Sequence, residues 1–390
     1  MASLGIPSER LFATWRWGNF GKKFFTFNCV YEYNNILFDT LVSSEAPSAY
    51  GAATSLERQL LSRLQGCSEC DGDEEKDRKL LDEVCSRTCE KIKELVLTVG
   101  TSKMETITRN MDSPADRKLL PSWMHPKTVN LQLLTKEGQL VVIEREDLPI
   151  HDKHEPFTDS EIMNMKLPRH KVSDLEVVDG LLYRSVYKVN IDGQTLIAKL
   201  AKKGKGLIMV EEIKKLTEIK SQKSAGSSIT RVAELKGLIC SPDGIVGILL
   251  TYIPSIGDDL GGMIQRSEEI RDRDMEGSTG SLPLVISQTR KDKWVKQITE
   301  TVQELHARNI IWGGVSLRNV LIHETTDDAW VIDFSNGHPD APYEGWVDVS
   351  LRGTKAGDLH GLQHIATELA GNGMEDGVLK STETPGLSKL

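Results

Sequence analysis

The spacing of apolar residues along the chain predicts a mixture of amphipathic helices and strands. Apolar side chains recur three and four positions apart in the segments that we predict to be helical: 54–66, 78–98, 207–219, 294–308 and 358–369. Short runs rich in β-branched and aromatic residues predict strands, the first of them at 24–31. The two kinds of element are interspersed along the chain.

Most of the predicted strands form pairs around short turns. Each turn contains Gly, Asp or Pro, the residues that favour a tight reversal of the backbone. The predicted hairpins lie at 129–143, 186–199, 232–253 and 320–332. Pro254 and Gly257 then end the third hairpin and form a connector.

The sequence divides into three regions. Residues 1–165 are predicted to form an N-terminal accessory region of strands and a helical hairpin, and residues 166–375 a second domain. We predict that a proline-containing linker at 149–168 connects them and that residues 376–390 form a flexible tail. The polar segment 265–285, which is rich in Arg, Glu and Gly, is predicted to be a surface insertion.

Three histidines lie in or next to this linker: His151, His154 and His170. No matching cluster of Cys or Asp accompanies them at metal-ligand spacing. We therefore expect these histidines to be solvated rather than to bind a metal.

Net charge and hydropathy narrow the classes of function. The 390 residues carry 48 Lys and Arg against 57 Asp and Glu, a net charge of −9, which argues against a nucleic-acid-binding protein. No run approaches the roughly 18 apolar residues of a membrane helix, and residues 1–7 have no signal-peptide pattern. We predict a cytoplasmic protein with no nucleic-acid or membrane partner.

Four of the six cysteines lie near one another in the sequence: Cys67, Cys70, Cys85 and Cys89. Their C-x2-C and C-x3-C spacings are close to those of zinc sites. However, the second pair is not C-x2-C, and the first pair lies beside an acidic loop. The pattern therefore favours reduced structural thiols over a zinc site.

The segment that is most informative about function is 312–319, Trp-Gly-Gly-Val-Ser-Leu-Arg-Asn, followed by Val-Ile-Asp-Phe at 331–334. Protein kinases carry an Asp five residues before an Asn, and a second Asp before a Phe further along. Here Asn319 and Asp333 are present, and Gly314 stands at the position of the first Asp. The sequence thus resembles the catalytic core of a protein kinase without its catalytic-loop acid.

The order of elements from about 174 to 370 also resembles the protein-kinase fold. The amino-acid sequence of the loop most resembles that of a fungal branch of protein-kinase-like proteins, in which the loop usually reads Trp-Gly-Asp-x-Lys-x-x-Asn. This resemblance implies an α+β fold of the bilobal protein-kinase type, with a small antiparallel-sheet lobe and a shortened helical lobe. The N-terminal region would be an α/β accessory region.

The resemblance implies a nucleotide site for ATP and Mg²⁺. Lys199 would neutralise charge on the α- and β-phosphates and would be held by Glu212 on the next helix, with Glu211 as the alternative. Asn319 and Asp333 would supply oxygen ligands to Mg²⁺. The hinge that meets adenine would be Thr251, Tyr252 and Ile253.

Asp358 begins the last predicted helix, in Gly-Asp-Leu-His-Gly at 357–361. It resembles the buried kinase Asp that braces the catalytic loop, which implies structural support of that loop. A plain helix N-cap explains the same residue equally well, because Asp is favoured at that position. Both interpretations stay open at this point.

Several positions depart from the kinase pattern in the direction of lost activity. Gly314 has no side chain to accept the proton of the attacking hydroxyl, and a positioned base contributes roughly 10²–10⁴ in rate. Ser316 replaces the loop lysine, and Ser335 replaces the Gly that follows Asp-Phe. The glycine positions of the phosphate-covering loop are occupied by Asp179, Leu181 and Arg184.

Three hypotheses for function follow. The first is a pseudokinase that binds ATP and Mg²⁺ and acts as a regulator or through a protein partner. The second is an active ATP-dependent phosphotransferase of altered mechanism, with a protein or small-molecule substrate. The third is a kinase-like cleft reused for another ligand. The lost Asp and Lys favour the first over the second, and the retained Lys199 and Asp333 favour both over the third.

Overall fold

The structure is a computed structural model, and the residues it describes fall into fourteen stretches. They are 9–19, 25–33, 36–43, 87, 89–96, 118–125, 127–136, 139–145, 154–182, 185–224, 231–257, 259–275, 286–335 and 349–370. The chain divides into two compact units, and each is a mixture of helix and sheet. The first unit comprises Met1–Phe157, Pro168–Lys203 and Leu238–Leu249, and the second comprises Thr158–Leu167, Gly204–Gly237 and Leu250–Leu390.

The first unit contains a five-stranded sheet whose strands lie in the order of the chain. Its strands are β1 Glu9–Asn19, β2 Phe25–Tyr33, β3 Ile36–Ser43, β4 Lys127–Lys136 and β5 Gln139–Glu144. Neighbouring strands are antiparallel except β3 and β4, which pair in parallel. The predicted strand at 24–31 and the predicted hairpin at 129–143 are therefore confirmed.

Strand β3 has no clear signal in the sequence. Leu37, Phe38, Asp39 and Thr40 are consecutive residues, and all four are buried. Both faces of the strand are therefore covered, and the alternation of apolar and polar residues that marks a half-buried strand is absent.

A helix, α1, runs through residues 89–96, within the helix predicted at 78–98. Cys89, Ile92 and Val96 form its buried face. The Cys29 thiol of β2 donates a hydrogen bond to the Cys89 carbonyl at 3.7 Å. A hydrogen bond with the Cys89 side chain and burial raise the pKa of Cys29, so this thiol stays neutral. The predicted helix at 54–66 and the residues Cys67, Cys70 and Cys85 lie outside the described residues.

A six-stranded sheet is built mainly in the first unit, and the ends of its strands β10 and β11 continue into the second. Its strands are β6 Arg169–Lys171, β7 Glu176–Leu182, β8 Val186–Ile191, β9 Gln194–Leu200, β10 Leu235–Ser241 and β11 Gly244–Thr251, in the order β6-β10-β11-β9-β8-β7. Asp192 and Gly193 form the β8–β9 turn with φ of 50° and 79°, as a type I′ hairpin requires. The predicted hairpins at 186–199 and 232–253 are confirmed, although β10 begins three residues late.

A short helix, α2 Leu120–Met124, covers this sheet. Leu120 and Met124 pack in one core with β7, β8 and β9. The Trp123 ring meets the Tyr187 ring edge-on, with centroids 5.8 Å apart. The hydrophobic core of the sheet therefore includes a helix that the sequence pattern did not predict.

The second unit is built from helices and one short hairpin. Its elements are α3 Ser160–Asn164, α4 Gly206–Ser224, α5 Leu260–Met275, α6 Gln288–Ala307, β12 Val320–Ile322, β13 Ala329–Val331 and α7 Lys355–Ala370. Ile298, Val302 and Leu305 line the buried face of α6, as predicted. In the part of the chain that the structure describes, no helix has both the length and the apolar character to cross a membrane.

The first half of the predicted surface insertion at 265–285 is helical. Residues up to 275 belong to α5, which begins at Leu260. Leu260, Met263 and Ile264 are buried and anchor the first turn. Once such a turn is fixed, each further residue adds a backbone hydrogen bond, so the polar continuation stays helical. Residues 276–285 lie outside the described ranges.

The expectation of solvated linker histidines is wrong for His154. Its side chain is 7% exposed, and Nδ1 lies 3.0 Å from the carbonyl oxygen of Ala201. The segment around it is anchored because Phe157 exchanges two backbone hydrogen bonds with Ile245. His170 is half-buried, and His151 lies outside the described residues.

Candidate functional site

The loop at 312–319 connects α6 to β12 in the second unit, and Asp358 of α7 holds its backbone. The Trp312 N–H donates to Asp358 Oδ2 at 2.9 Å, and the Gly313 N–H donates to Oδ1 at 2.8 Å. His306 Nε2 lies 2.8 Å from Oδ2. Asp358 is 1% exposed, and a buried carboxylate is stable only with such partners. Its carboxylate therefore fixes the start of the loop.

The N-terminus of α7 is capped by a different residue. Thr354 Oγ1 accepts a hydrogen bond from the Gly357 N–H at 3.0 Å, and the helix begins at Lys355. The contacts of Asp358 thus match support of the loop rather than an N-cap. Its place in a kinase-like site stays a prediction.

Gly314 is held from the other side by Asn319. Asn319 Nδ2 donates to the Gly314 carbonyl at 2.9 Å, which directs the amide oxygen Oδ1 away from that carbonyl. Gly313 has φ of 76°, whereas Gly314 lies outside the left-handed region. A side chain at 314 is therefore compatible with the backbone. The loop is fully formed around a position that provides neither acid nor base.

Ser316 has a structural part in the same loop. Its hydroxyl accepts a hydrogen bond from the Arg318 N–H at 3.2 Å, and its carbonyl accepts one from the Asn319 N–H at 3.0 Å. The side chain is buried and starts the short 3₁₀ turn Leu317–Asn319. In place of the lysine expected from the kinase pattern, the chain has a capping residue.

The hairpin of β12 and β13 brings Asn319 and Asp333 to the same end. The two strands are antiparallel, and beyond them the Ile332 N–H donates to the Asn319 carbonyl at 3.0 Å. Asp333 follows with φ of 60°, which is uncommon for a residue other than glycine. The N–H of Ser335 donates to Asp333 Oδ1 at 3.0 Å, and the Ser335 hydroxyl donates to the same oxygen.

The donor set of Asn319 and Asp333 fits Mg²⁺. An amide oxygen and a carboxylate are hard oxygen ligands, and Mg²⁺ is usually held by one or two such protein groups together with substrate phosphates and water. The hydrogen bond from Asn319 Nδ2 orients the amide so that its oxygen is the remaining donor atom. Among the described residues, no three His, Cys, Asp or Glu side chains are grouped as a metal site.

Helix α4 contacts the segment that follows Asp333. Glu212 is 1% exposed, whereas Glu211 is exposed, and Glu212 Oε1 accepts a hydrogen bond from the Phe334 N–H at 3.4 Å. Lys215 Nζ donates to the Phe334 carbonyl at 3.1 Å. No sequence pattern distinguishes Lys215, because a lysine on an amphipathic helix is ordinarily solvated.

Lys199 and the hinge candidates lie in different units. Lys199 is half-buried on β9 of the first unit. In the second unit, the Thr251 N–H donates to the Glu234 carbonyl at 3.0 Å, and Thr251 Oγ1 is buried with no hydrogen-bond partner among the described residues. Tyr252 is half-buried and Ile253 is buried. The roles of these residues toward a nucleotide stay predictions.

The predicted phosphate-covering segment lies on β7, at the edge of its sheet. The pairing of β7 with β8 is irregular near Asp179 and again near Gly180. Leu181 is 49% exposed and Leu182 58%. Arg184 lies outside the described residues. The described part of this segment therefore presents bulky apolar side chains where a glycine-rich loop would expose backbone N–H groups.

Comparison with known proteins finds similarity to solved structures. The chain matches no model of a known protein family and no curated protein. A solved structure that it matches is that of the Cydia pomonella Granulovirus kinase PK-1, with 16% sequence identity and a TM-score of 0.37. The match covers 51% of this chain and 69% of that chain. At this level of similarity, function has to be argued from the site itself.

Proposed function

We propose that this chain is a protein-kinase-like protein of the pseudokinase kind, which binds a Mg²⁺–nucleotide and transfers phosphate poorly or not at all. It would act as a regulator or interaction module. The observation that carries the proposal is the loop around Gly314. Asp358 and Asn319 hold its backbone on both sides of a residue that has no side chain.

The missing carboxylate accounts for the expected lack of turnover. A hydroxyl acceptor that attacks a phosphate is oriented and deprotonated by an acid side chain in the loop, and Gly314 has none. The loss of a positioned base is worth roughly 10²–10⁴ in rate, or about 3–5 kcal/mol of barrier. Ser316 caps the loop instead of supplying a cation, which lowers the expected rate further.

The groups that would hold a nucleotide are still present. Asn319 and Asp333 would bind Mg²⁺, which neutralises charge on the phosphates when it is bound. Lys199 would add a second positive charge. Because the Thr251 N–H is already bonded to Glu234, we assign the backbone contacts with adenine to Tyr252 and Ile253.

A second candidate is an active phosphotransferase of altered mechanism. It is favoured by the same hydrogen bonds, because an enzyme also needs a rigid loop and a preformed metal position. Asp340 and Asp348, which could replace the missing base, lie outside the described residues. The two candidates differ in turnover and agree in nucleotide binding.

A thermal-shift titration tests the binding that both candidates require. ATP and ADP are added with and without Mg²⁺ to the natural chain and to the variants Lys199→Ala and Asp333→Ala. A ligand that binds only the folded state adds about 2.7 kcal/mol of stability at 100 times its Kd. We expect a rise in Tm of several degrees that depends on Mg²⁺ and disappears in Asp333→Ala.

The outcomes separate the hypotheses. A Mg²⁺-dependent shift with no release of phosphate supports the pseudokinase. The same shift with turnover that Asp333→Ala abolishes supports the phosphotransferase. No shift at millimolar nucleotide contradicts both and leaves a cleft that binds another ligand.

A further inference from the structure

The backbone of Phe334 is held by helix α4 at both of its polar groups. Glu212 Oε1 accepts the Phe334 N–H at 3.4 Å, and Lys215 Nζ donates to the Phe334 carbonyl at 3.1 Å. Glu212 and Lys215 are three residues apart, so they project from the same face of the helix. Phe334 itself is buried. One face of α4 therefore fixes the peptide groups on either side of a single residue.

That residue directly follows the candidate metal ligand. Asp333 has φ of 60°, in the left-handed region, which Asp enters more readily than most residues with a Cβ but which is still less favourable than the ordinary helical or extended backbone. On the other side of Phe334, Ser335 donates two hydrogen bonds to Asp333 Oδ1. The contacts of α4 and of Ser335 together restrict the rotation that would release Asp333 from this conformation.

The environment of Lys215 includes carboxylates that favour a charged ammonium group at the contact with Phe334. Burial lowers the pKa of Lys215 from its ordinary value. Four carboxylates oppose that shift and favour the charged form: Asp358, Glu211, Glu212 and Asp333. An ammonium removed from water is unfavourable unless it is hydrogen-bonded and balanced by opposite charge, and Lys215 has both. A leucine or methionine would fill the same space without that requirement.

We propose that Lys215 is a positioning residue that, together with Glu212, clamps Phe334 and thereby holds the Asp333 carboxylate in its metal-binding position. The clamp makes the Asp333–Ser335 segment a preformed part of the site that does not rearrange to admit the metal. This inference rests on the proposed Mg²⁺–nucleotide site for its functional part. Its conformational part can be tested without any ligand.

The ligand-free test is hydrogen exchange at the Phe334 amide, with exchange in α6 as the reference for global stability. Lys215→Met keeps an unbranched side chain of similar volume and removes its charge and donors. We expect at least 10-fold faster exchange at Phe334 in Lys215→Met, and a return toward the natural rate in Lys215→Arg. Lys214→Met is the matched control, because Lys214 Nζ pairs with Glu161 at 2.7 Å and both side chains are partly exposed.

The functional test is the affinity for ADP measured by calorimetry with and without Mg²⁺. We expect Lys215→Met to weaken binding about 10-fold in the presence of Mg²⁺ and less than twofold in its absence, with recovery in Lys215→Arg. The proposal would be overturned if the Phe334 amide exchanged at the same rate in Lys215→Met as in the natural chain. It would also be overturned if exchange became faster while the effect of Mg²⁺ on the affinity for ADP stayed unchanged. If the natural chain binds no Mg²⁺–ADP, the proposed function fails, and hydrogen exchange alone decides whether the clamp exists.

Discussion

The two segments to which the kinase resemblance assigns the handling of phosphate differ sharply in this molecule. The loop at 312–319 has its backbone fixed by Asp358 and Asn319. The β7 segment, where a glycine-rich loop would cover the phosphates, pairs irregularly and exposes Leu181 and Leu182. The first segment has its supporting hydrogen bonds and lacks an acidic side chain at position 314, whereas the second lacks the glycines that its proposed role would need.

The difference shows that the backbone of a loop can be held in place independently of the side chains that would carry out a reaction. Hydrogen bonds to the backbone can hold a loop whatever side chain its central residue carries, so the loop is held with glycine at position 314. Close approach of backbone to phosphate depends on glycine itself, and bulky residues remove it. We therefore expect strong effects from changes to the supports of the loop and weak effects from changes in β7.

The largest effect is expected for Asp358→Ala. The substitution leaves the buried Trp312 N–H and the partly buried Gly313 N–H without an acceptor, and a buried group in that state costs about 1–3 kcal/mol. Chemical denaturation should give a loss of about 3–5 kcal/mol in unfolding free energy. Asp292→Ala, on an exposed position of α6, should change it by less than about 0.5 kcal/mol. A loss below 1 kcal/mol in Asp358→Ala would show that the carboxylate does not brace the loop.

A comparable effect, in rate instead of stability, is expected for Gly314→Asp. The backbone of Gly314 lies outside the left-handed region, so its φ does not oppose a side chain, and a restored base is worth roughly 10²–10⁴ in rate. ATP hydrolysis and phosphotransfer to generic acceptors should rise in Gly314→Asp, and rise further when Ser316→Lys is added. Gly314→Asn has the same shape without a basic carboxylate and should stay at the natural rate. Equal rates in the Asp and Asn variants would count against the missing base as the cause.

A smaller effect is expected at the turn of the β12–β13 hairpin, away from the loop. Arg290 contacts Asp327 through two nitrogens, the closer at 2.5 Å, and its guanidinium lies 4.9 Å from the centroid of the Trp294 ring. Arg290→Met should lower the unfolding free energy by about 1–2 kcal/mol, more than a typical surface pair.

The control for this variant is Lys296→Met. Lys296 is highly exposed, and its Nζ lies 3.9 Å from Glu300. The change in unfolding free energy in Lys296→Met should therefore be close to zero. If Arg290→Met and Lys296→Met have the same Tm, the turn is not anchored on α6.

The pH dependence of stability should carry a modest signal from Asp328. A hydrogen bond from the Gln297 side chain at 2.6 Å, aided by Lys293, lowers the pKa of Asp328 from 3.8 to about 2. The folded state therefore favours the ionised carboxylate. Its contribution is fully present above about pH 4 and is lost as pH falls through about 2.

Because the side chain is partly solvated, we expect this contribution to stay below about 1 kcal/mol. The unfolding free energy of the natural chain and of Asp328→Asn, measured from pH 7 to pH 2, should converge at the acid end. A difference that does not change with pH would contradict the assignment.

The smallest effect is expected in β7. Leu181→Ser and Leu182→Ser replace exposed side chains and should change the unfolding free energy by about 0.5 kcal/mol or less. Leu196→Ser, at a buried position of the same sheet, should cost several times more. A large loss at Leu181 would mean that β7 is as firmly held as the loop.

Much of the second unit could be predicted because its signals are local. The period of Ile298, Val302 and Leu305 defines α6, and Asp-Asp between two apolar runs defines the β12–β13 turn. In the first unit, β3 could not be predicted because it is buried on both faces and therefore has no alternation of apolar and polar residues. The N-terminal half of α5 carries its apolar residues only in the first turn, so its polar continuation resembles a loop.

The candidate site was predictable in its residue types and not in its contacts. The resemblance to protein kinases selects Asn319, Asp333 and Asp358, because it rests on short motifs that contain them. The contact of Lys215 with Phe334 joins residues 119 positions apart. No periodicity of a single sequence reports such a contact. The hydrogen bond by which Ser316 caps the 3₁₀ turn likewise depends on the fold of the loop, which the sequence motif does not reveal.

The most direct test of the central claim is a titration with Mn²⁺, which takes the oxygen ligands that Mg²⁺ takes and can be followed by electron paramagnetic resonance. Free Mn²⁺ is measured against the natural chain, Asn319→Ala and Asp333→Ala, each with and without ADP. The account predicts an ADP-dependent Mn²⁺ site in the natural chain that weakens at least 10-fold in Asp333→Ala and also weakens in Asn319→Ala. Equal Mn²⁺ binding in all three proteins, or none in the natural chain, would contradict it.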